Sequence, residues 1–90
     1  MQEVEVKYES TAEFFAAAID MKKLRFVNGA ATRKVGPGQH ALQWFVRGAP
    51  GASYTLQITS PRRARFAHAA TLDRDMQDAG VHWFAFESGG

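Results

Sequence analysis

The sequence predicts a mainly β fold in a single small domain spanning residues 1–90. Three observations carry this prediction. Several segments alternate apolar and polar residues with a period of two, which is the pattern of half-buried strands. Glycine, proline and asparagine recur between those segments, where turns are expected. The chain has 90 residues and no cysteine, so a small core must hold it together without disulfide bonds.

Two early segments are predicted as strands. In VEVKYE, Val4, Val6 and Tyr8 share one face and charged residues occupy the other. LRFVNG is typical of a short strand ending in a turn, because Asn-Gly tolerates positive φ. The following stretch, AATRKVGPG, is predicted to be extended and irregular.

Residues 11–23 predict one short N-terminal helix, which would make the domain α+β. Ser10 and Glu13 have the spacing of a capping box. Phe14, Phe15 and Ile19 then recur with a helical period, and two lysines suit a helix C-terminus. The alternative is a strand, FFAAAI, in an all-β protein.

Residues 40–60 predict a hairpin of two strands, because Pro50-Gly51 suits a type II turn between two alternating segments. A plain two-residue turn would place Trp44 opposite Gln57, with the apolar faces on opposite sides of the ribbon. Shifting the register by one residue would turn every side chain to the other face of its strand. The two apolar faces can therefore share one side only if one strand holds an extra, unpaired residue, so a β-bulge is predicted at or next to Gly48. The predicted core residues of this region are Leu42, Trp44, Tyr54, Leu56 and Ile58.

The last third predicts two further strands. RRARFAHAATL places Phe66, His68, Ala70 and Leu72 on one alternating face, and VHWFAFE forms the final strand. The intervening DRDMQDAG is predicted to be a polar loop, and the terminal Ser-Gly-Gly a flexible end.

An aromatic pair is the first candidate ligand site. If Phe84 and Phe86 point into the core, Trp83 lies on the opposite face, and Phe45 likewise faces away from Trp44. Exposed aromatic rings on a sheet hold sugars or peptides in many binding modules. The sequence therefore predicts Phe45 and Trp83 as ligand-binding residues, unless the predicted helix covers this face.

A basic central segment is the second candidate. All nine acids lie up to Asp20 or from Asp73 onward, and the residues between carry nine bases. Arg62, Arg63 and Arg65 are the best candidates for contacting a polyanion such as nucleic acid, acidic lipid or acidic glycan. Alternatively, acidic terminal strands lie beside the basic ones and neutralise them. The bases are Lys22, Lys23, Arg25, Arg33, Lys34, Arg47, Arg62, Arg63 and Arg65.

No arrangement of residues predicts an enzyme, a cofactor or a metal. Gly-x-Ser-x-Gly is absent, and the three histidines fall on three predicted strands. Asp73, Asp75 and Asp78 lie in the predicted polar loop, where they are expected to be solvated and not to act as an acid–base pair. No apolar run reaches the ~20 residues of a transmembrane helix, and no signal peptide is visible. A cytoplasmic location is therefore expected, or an envelope or secreted one if the domain is excised from a longer protein.

The stretch from Leu24 to Pro61 resembles small bacterial Ig-like β-sandwich modules, PEGA-like ones among them. VNG, VGPGQHALQW and GAPGASYTLQI carry the resemblance. It implies an antiparallel β-sandwich that acts, without catalysis, as a spacer or a binding surface for a protein or glycan. The ending DAGVHWFAFESGG resembles the last strand and tail of ubiquitin-like sulfur carriers, which end in Gly-Gly, and gives a third functional alternative.

Overall fold

The computed structural model describes residues 1–87 and shows two four-stranded antiparallel sheets packed as a β-sandwich. Sheet I has the strand order β4-β1-β6-β7, and sheet II has the order β3-β2-β5-β8. A single 3-10 turn, Arg62–Ala64, joins β6 to β7. The mainly β prediction is confirmed. The strands are β1 (Gln2–Ser10), β2 (Phe14–Ile19), β3 (Lys22–Lys23), β4 (Ala30–Val35), β5 (Gly38–Arg47), β6 (Ser53–Ser60), β7 (Phe66–Thr71) and β8 (Gln77–Phe86).

One hydrophobic core lies between the sheets, and the alternating residues identified in the sequence build it. Val4 and Val6 of β1 are fully buried, as their shared face predicted. Burial of each such aliphatic side chain contributes about 1.5–3 kcal/mol, so a chain this short depends on nearly all of them. The five core residues predicted between residues 40 and 60 are all buried: Leu42, Trp44, Tyr54, Leu56 and Ile58.

The predicted hairpin is wrong, because β5 and β6 belong to different sheets. The turn itself forms, with the amide of Ala52 donating to the carbonyl of Ala49 and Gly51 at a φ of 91°. It carries the chain across the sandwich, so the apolar faces of β5 and β6 meet through the core. The opposed faces therefore need no bulge at Gly48. The register shift that does occur lies between Glu5 and Val6, where β1 pairs with β6.

The predicted helix at residues 11–23 is also wrong, and the alternative FFAAAI strand is present as β2. Pairing with β5 buries Ala17 and Ile19 on one side and turns the neighbouring alanines outward. This sheet context overrides the capping-box signal. The Ser10 hydroxyl accepts a hydrogen bond from the amide of Ala12, which makes a local turn and does not cap a helix.

Residues 24–36 reverse the predicted order of strand and loop. LRF is irregular and Val27 makes only an isolated bridge, whereas AATRKV forms the regular strand β4. β4 is regular because it pairs with β1 along its whole length. The Asn28-Gly29 turn is confirmed, with φ values of 53° and 78°.

The two last strands form where they were predicted. Phe66, His68 and Ala70 face inward on β7, and Leu72 just beyond it is buried. β8 begins earlier than expected, at Gln77, so it absorbs part of the predicted polar loop. Within residues 1–87, no helix has the length and apolar character required to cross a membrane.

Candidate functional site

The two outer faces of the sandwich differ in chemistry. On β1 of sheet I, Val4 and Val6 point into the core, so the alternate residues of that strand face outward. These outward residues and those of the neighbouring strands are mostly charged or hydroxylated, which is ordinary for a solvated face. The outward residues of sheet I include Glu3, Glu5, Lys7, Glu9, Lys34, Thr55, Gln57 and Thr59.

The outer face of sheet II is apolar, and we call it the aromatic face. Trp83 is 59% exposed and Val81 is 50% exposed on β8. Phe45 on β5 and Phe14 on β2 are 38% and 39% exposed. Clustered large apolar side chains left in solvent mark interaction surfaces more often than singly scattered ones do. The alternative that a helix covers this face is excluded, because the predicted helix is itself strand β2.

The structure places the two predicted aromatic residues on the same face but not in contact. Trp83 pairs with Ala41, whereas Phe45 pairs with Ala79. The two rings are four positions apart along the strand direction, which corresponds to about 13 Å at roughly 3.3 Å per residue. Val81 lies between them, so the rings mark two ends of an apolar row.

Phe14 extends this row and was not predicted as a site residue. Its ring centroid is 6.2 Å from that of Phe45, and the guanidinium of Arg47 lies 5.6 Å from its centroid. Assigning residues 11–23 to a helix hid this contact. A strand reading of FFAAAI would have revealed it, because alternation then puts Phe14 on the face opposite Ala17 and Ile19.

Small residues make the floor of the aromatic face, and basic residues stand at its rim. A shallow apolar cleft beside Phe45 is bordered by Gln43 and Lys23. Lys23 on the edge strand β3 and Arg47 at the end of β5 are the charged residues that face outward from the strands of sheet II. The face is therefore uncharged at its centre and positive at its rim. Its outward alanines are Ala16, Ala18, Ala41, Ala79 and Ala85.

The three arginines proposed for polyanion binding do not converge. The guanidinium of Arg63 lies 5.4 Å from the centroid of Phe86, a residue of sheet II. Arg65 instead borders a cleft with Gln57 and Thr59 on the outer side of sheet I. The alternative arrangement is present in part, because the acidic strand β1 pairs with β4 and places Glu3 opposite Lys34. In residues 1–87, however, the one contact ion pair joins His40 and Asp20.

A buried polar cluster links the two sheets through Tyr54, which was predicted only as an apolar core residue. The indole N–H of Trp44 donates to the Tyr54 hydroxyl over 3.0 Å, and that hydroxyl donates to Asp78. His68 Nε2 lies 3.0 Å from the same oxygen, whose proton is already used, so His68 donates as well. Burial and the hydrogen bond to Asp78 raise the pKa of Tyr54 to about 12. The hydroxyl is thus held protonated at neutral pH.

A second polar cluster joins the turn after β2 to the start of β5. His40 Nδ1 lies 2.6 Å from Asp20 Oδ2, and its Nε2 lies 2.7 Å from the carbonyl of Gly36. Burial favours a lower pKa for His40, but the hydrogen bonds to Asp20 and Gly36 outweigh it and the pKa is raised. Both partners only accept, so this site favours the doubly protonated imidazolium over the neutral ring.

Within residues 1–87, the other histidine and aspartate side chains lie in separate environments. His82 stacks on Phe66 with ring centroids 3.8 Å apart, and burial lowers its pKa. Asp73 and Asp75 are exposed as predicted, but Asp78 is part of β8 and turns inward. Among the described residues, no group of three or more His, Asp or Glu side chains could hold a metal ion.

Comparisons with known proteins assign this geometry to no family. No family model, curated protein or solved structure matches the chain significantly. The aromatic face and the distribution of charge are therefore the features that bear on function.

Proposed function

We propose that this chain is a non-enzymatic interaction module, built as an Ig-like β-sandwich, that binds a protein partner through the aromatic face. The exposure of Trp83 beside Val81 on an uncharged sheet surface carries the proposal. Tryptophan is the residue most enriched among binding hot spots, where it contributes large area at low entropic cost. Left in water, the same side chains are a solubility liability that a partner would relieve.

The chemistry of the face favours a protein over a glycan. Alanines and Val81 surround the rings, and Gln39 and Gln43 are the polar groups that strand alternation places among them. A sugar would need more hydrogen-bonding side chains around its hydroxyls. The rim charges, Lys23 and Arg47, instead complement an apolar segment flanked by acidic residues.

The test is a selection of 12-residue peptides from a random library on the wild-type domain, followed by calorimetric measurement of the best binders. We expect Trp83→Ala to weaken binding by at least about 2 kcal/mol, because the ring is a hot spot. The melting temperature should hardly change, since Trp83 is 59% exposed. Val27→Ala is the matched control, because Val27 is 66% exposed and lies outside the aromatic face.

Three outcomes contradict this function. Selected peptides that bind Trp83→Ala as tightly as wild type would place the site elsewhere. A domain that binds soluble oligosaccharides through Trp83 and no peptide would make the face a glycan site. A large loss of stability in Trp83→Ala would show that the ring supports the fold.

A second candidate function is polyanion binding through the central basic segment. It is supported by the lack of contact ion pairs to these bases within residues 1–87. The third alternative, a sulfur carrier, remains a hypothesis, because Gly89 and Gly90 lie outside the described residues.

A further inference from the structure

The outermost strand of sheet II, β8, has a free edge. It pairs with β5 along all ten residues, from Gln77 to Phe86, without a register shift. No described strand pairs with its other side. Such an edge presents a row of unpaired backbone N–H and C=O groups that can accept another strand.

This edge lacks the features that prevent strand pairing. From Ala79 to Phe86, β8 has no charge, no proline and no bulge. By contrast, the edge strand β3 consists of two lysines, and the edge strand β4 contains Arg33 and Lys34. Short strands and lysines are standard protection for sheet edges. The edge strand β7 has only six residues, so β8 is the longest exposed edge of the sandwich.

Opposite charges lie at the two ends of β8. We call Arg62 and Arg63 the basic corner, because the Arg63 guanidinium lies over the ring of Phe86, where β8 ends. Asp73 and Asp75 form the acidic corner, in the loop just before β8 begins, and both are exposed. Exposed Arg74 lies between them and exposed Glu87 directly follows Phe86, so the net charge is −1 at the acidic corner and +1 at the basic corner. None of these charged residues belongs to the ion pair found in the described part of the chain.

We propose that two copies of this chain pair their β8 edges in antiparallel orientation around a two-fold axis. Antiparallel pairing brings the basic corner of each copy beside the acidic corner of the other. Parallel pairing would bring like charges together. Such an interface is self-complementary, as a closed dimer requires.

The register follows from the faces of the strand. In an antiparallel pair, directly opposite side chains point to the same face of the sheet. The outer faces of the two copies therefore lie on one side only if the two-fold axis passes through a residue of β8 and not between two residues. Centring on Val81 or His82 pairs almost the whole of β8. Sheet II of one copy and sheet II of the other then form one continuous sheet, and its outer face carries both copies of Trp83. This dimer is independent of the proposed protein-binding function, since the aromatic face stays open in monomer and dimer.

The test is a charge exchange followed by sedimentation equilibrium at low salt. The acidic-corner variant is Asp73→Asn with Asp75→Lys, which keeps an acceptor for the hydrogen bond from the amide of residue 75. The basic-corner variant is Arg62→Gln with Arg63→Glu. Each variant alone should dimerise with a Kd at least about tenfold higher than wild type, because its corners repel or no longer attract. An equimolar mixture should recover the wild-type Kd, since the changed corners are complementary to each other.

A matched control and a second readout complete the experiment. Glu3→Gln with Glu9→Lys makes the same charge change on the outer face of sheet I and should dimerise like wild type. Hydrogen exchange should slow in β8, and not in edge strand β4, as the concentration rises into the dimer range. A wild type that stays monomeric up to millimolar concentration overturns the proposal. So does a dimer that both variants and their mixture leave unchanged, whether or not any peptide binds the aromatic face.

Discussion

Gly80 lies directly under the indole ring of Trp44. The two residues are paired between β8 and β5. A Cβ atom added at Gly80 would lie 2.3 Å from Cζ2 of Trp44 and 2.6 Å from its Cε2, which is far inside contact distance. The ring is also held by the hydrogen bond that its Nε1, the neighbour of Cε2, donates to Tyr54. The glycine therefore provides the space in which Trp44 reaches across the core.

We expect Gly80→Ala to destabilise the domain by about 2–3 kcal/mol, because the methyl group displaces the ring and strains its hydrogen bond. Urea denaturation of both proteins measures the change. Gly36→Ala is the control, since no atom lies within 4 Å of a Cβ at that position. Equal stability of Gly80→Ala and wild type would mean that Trp44 is not held at this position.

At the scale of the elements, His40 and Asp20 attach the β2–β3 turn to β5. The turn has two residues with positive φ, Asp20 and Met21, so its backbone needs support. Asp20 provides it by accepting from His40 and from the amide of Ala41. Burial favours a higher pKa for Asp20, but these hydrogen bonds and the charges of His40 and Arg33 outweigh it and lower the pKa.

This contact should make stability depend on pH. The pKa of His40 is raised in the folded state, so its contribution is complete below its unfolded value of about 6.5 and is lost as pH rises through the folded value. The lowered pKa of Asp20 adds stability above about 4, which is lost on acidification. The contribution is therefore largest between about pH 4 and 6.5. Because Asp20 is 43% exposed, solvent screens it and about 1 kcal/mol is the upper bound.

The measurement compares wild type with His40→Gln by urea unfolding at pH 5.5 and 8.5. The stability difference between the two proteins should shrink at pH 8.5. Taking that difference cancels His82, whose lowered pKa acts in the opposite direction. A difference that is the same at both pH values would show that the imidazolium adds nothing.

Alternation in the sequence predicts which side of a strand is buried but not which strand lies beside it. The faces of Trp44 and Tyr54 were therefore predicted correctly, while the pairing of their strands was wrong. A plain hairpin would put the apolar faces of these two strands on opposite sides of the ribbon. Because the strands belong to different sheets, both faces point into the core and no bulge is needed. FFAAAI could not be assigned from local propensity, since its strand form depends on β5, which lies far along the chain.

The aromatic face was also predictable only in part: the outward direction of a side chain was, and the neighbouring strands were not. Counting faces on the last strand placed Trp83 outside, and the structure agrees. Phe14 and the alanine floor depend on which strands neighbour β5, so no local pattern could show them. The charge corners at the ends of β8 likewise appear only when the 3-10 turn and the Asp73 loop are placed at opposite ends of one strand.

At the scale of the whole molecule, the bases are dispersed over both sheets. The domain measures 47 × 22 × 21 Å, so Arg63 and Arg47 at opposite ends of sheet II cannot contact one short polyanion together. We therefore expect weak retention on heparin with a shallow dependence on salt, because few counterions are released at once.

Neutralising Arg62, Arg63 and Arg65 to glutamine should reduce that retention no more than neutralising Lys22, Lys23 and Arg25 does. Elution salt on a heparin column, with melting temperature as a check on folding, measures both variants. A selective loss in the arginine variant would instead identify a localised polyanion site and favour the second candidate function.

The chain changes sheets repeatedly, and this path affects how the domain forms. β1, β4, β6 and β7 belong to sheet I, and the four strands interspersed with them belong to sheet II. Val6 pairs with Ile58, and Leu42 with His82, so long loops must close before either sheet gains its central contacts. We therefore expect refolding on the millisecond-to-second timescale typical of non-local β topologies. During synthesis on a ribosome, sheet II cannot be completed until the chain has emerged through Phe86.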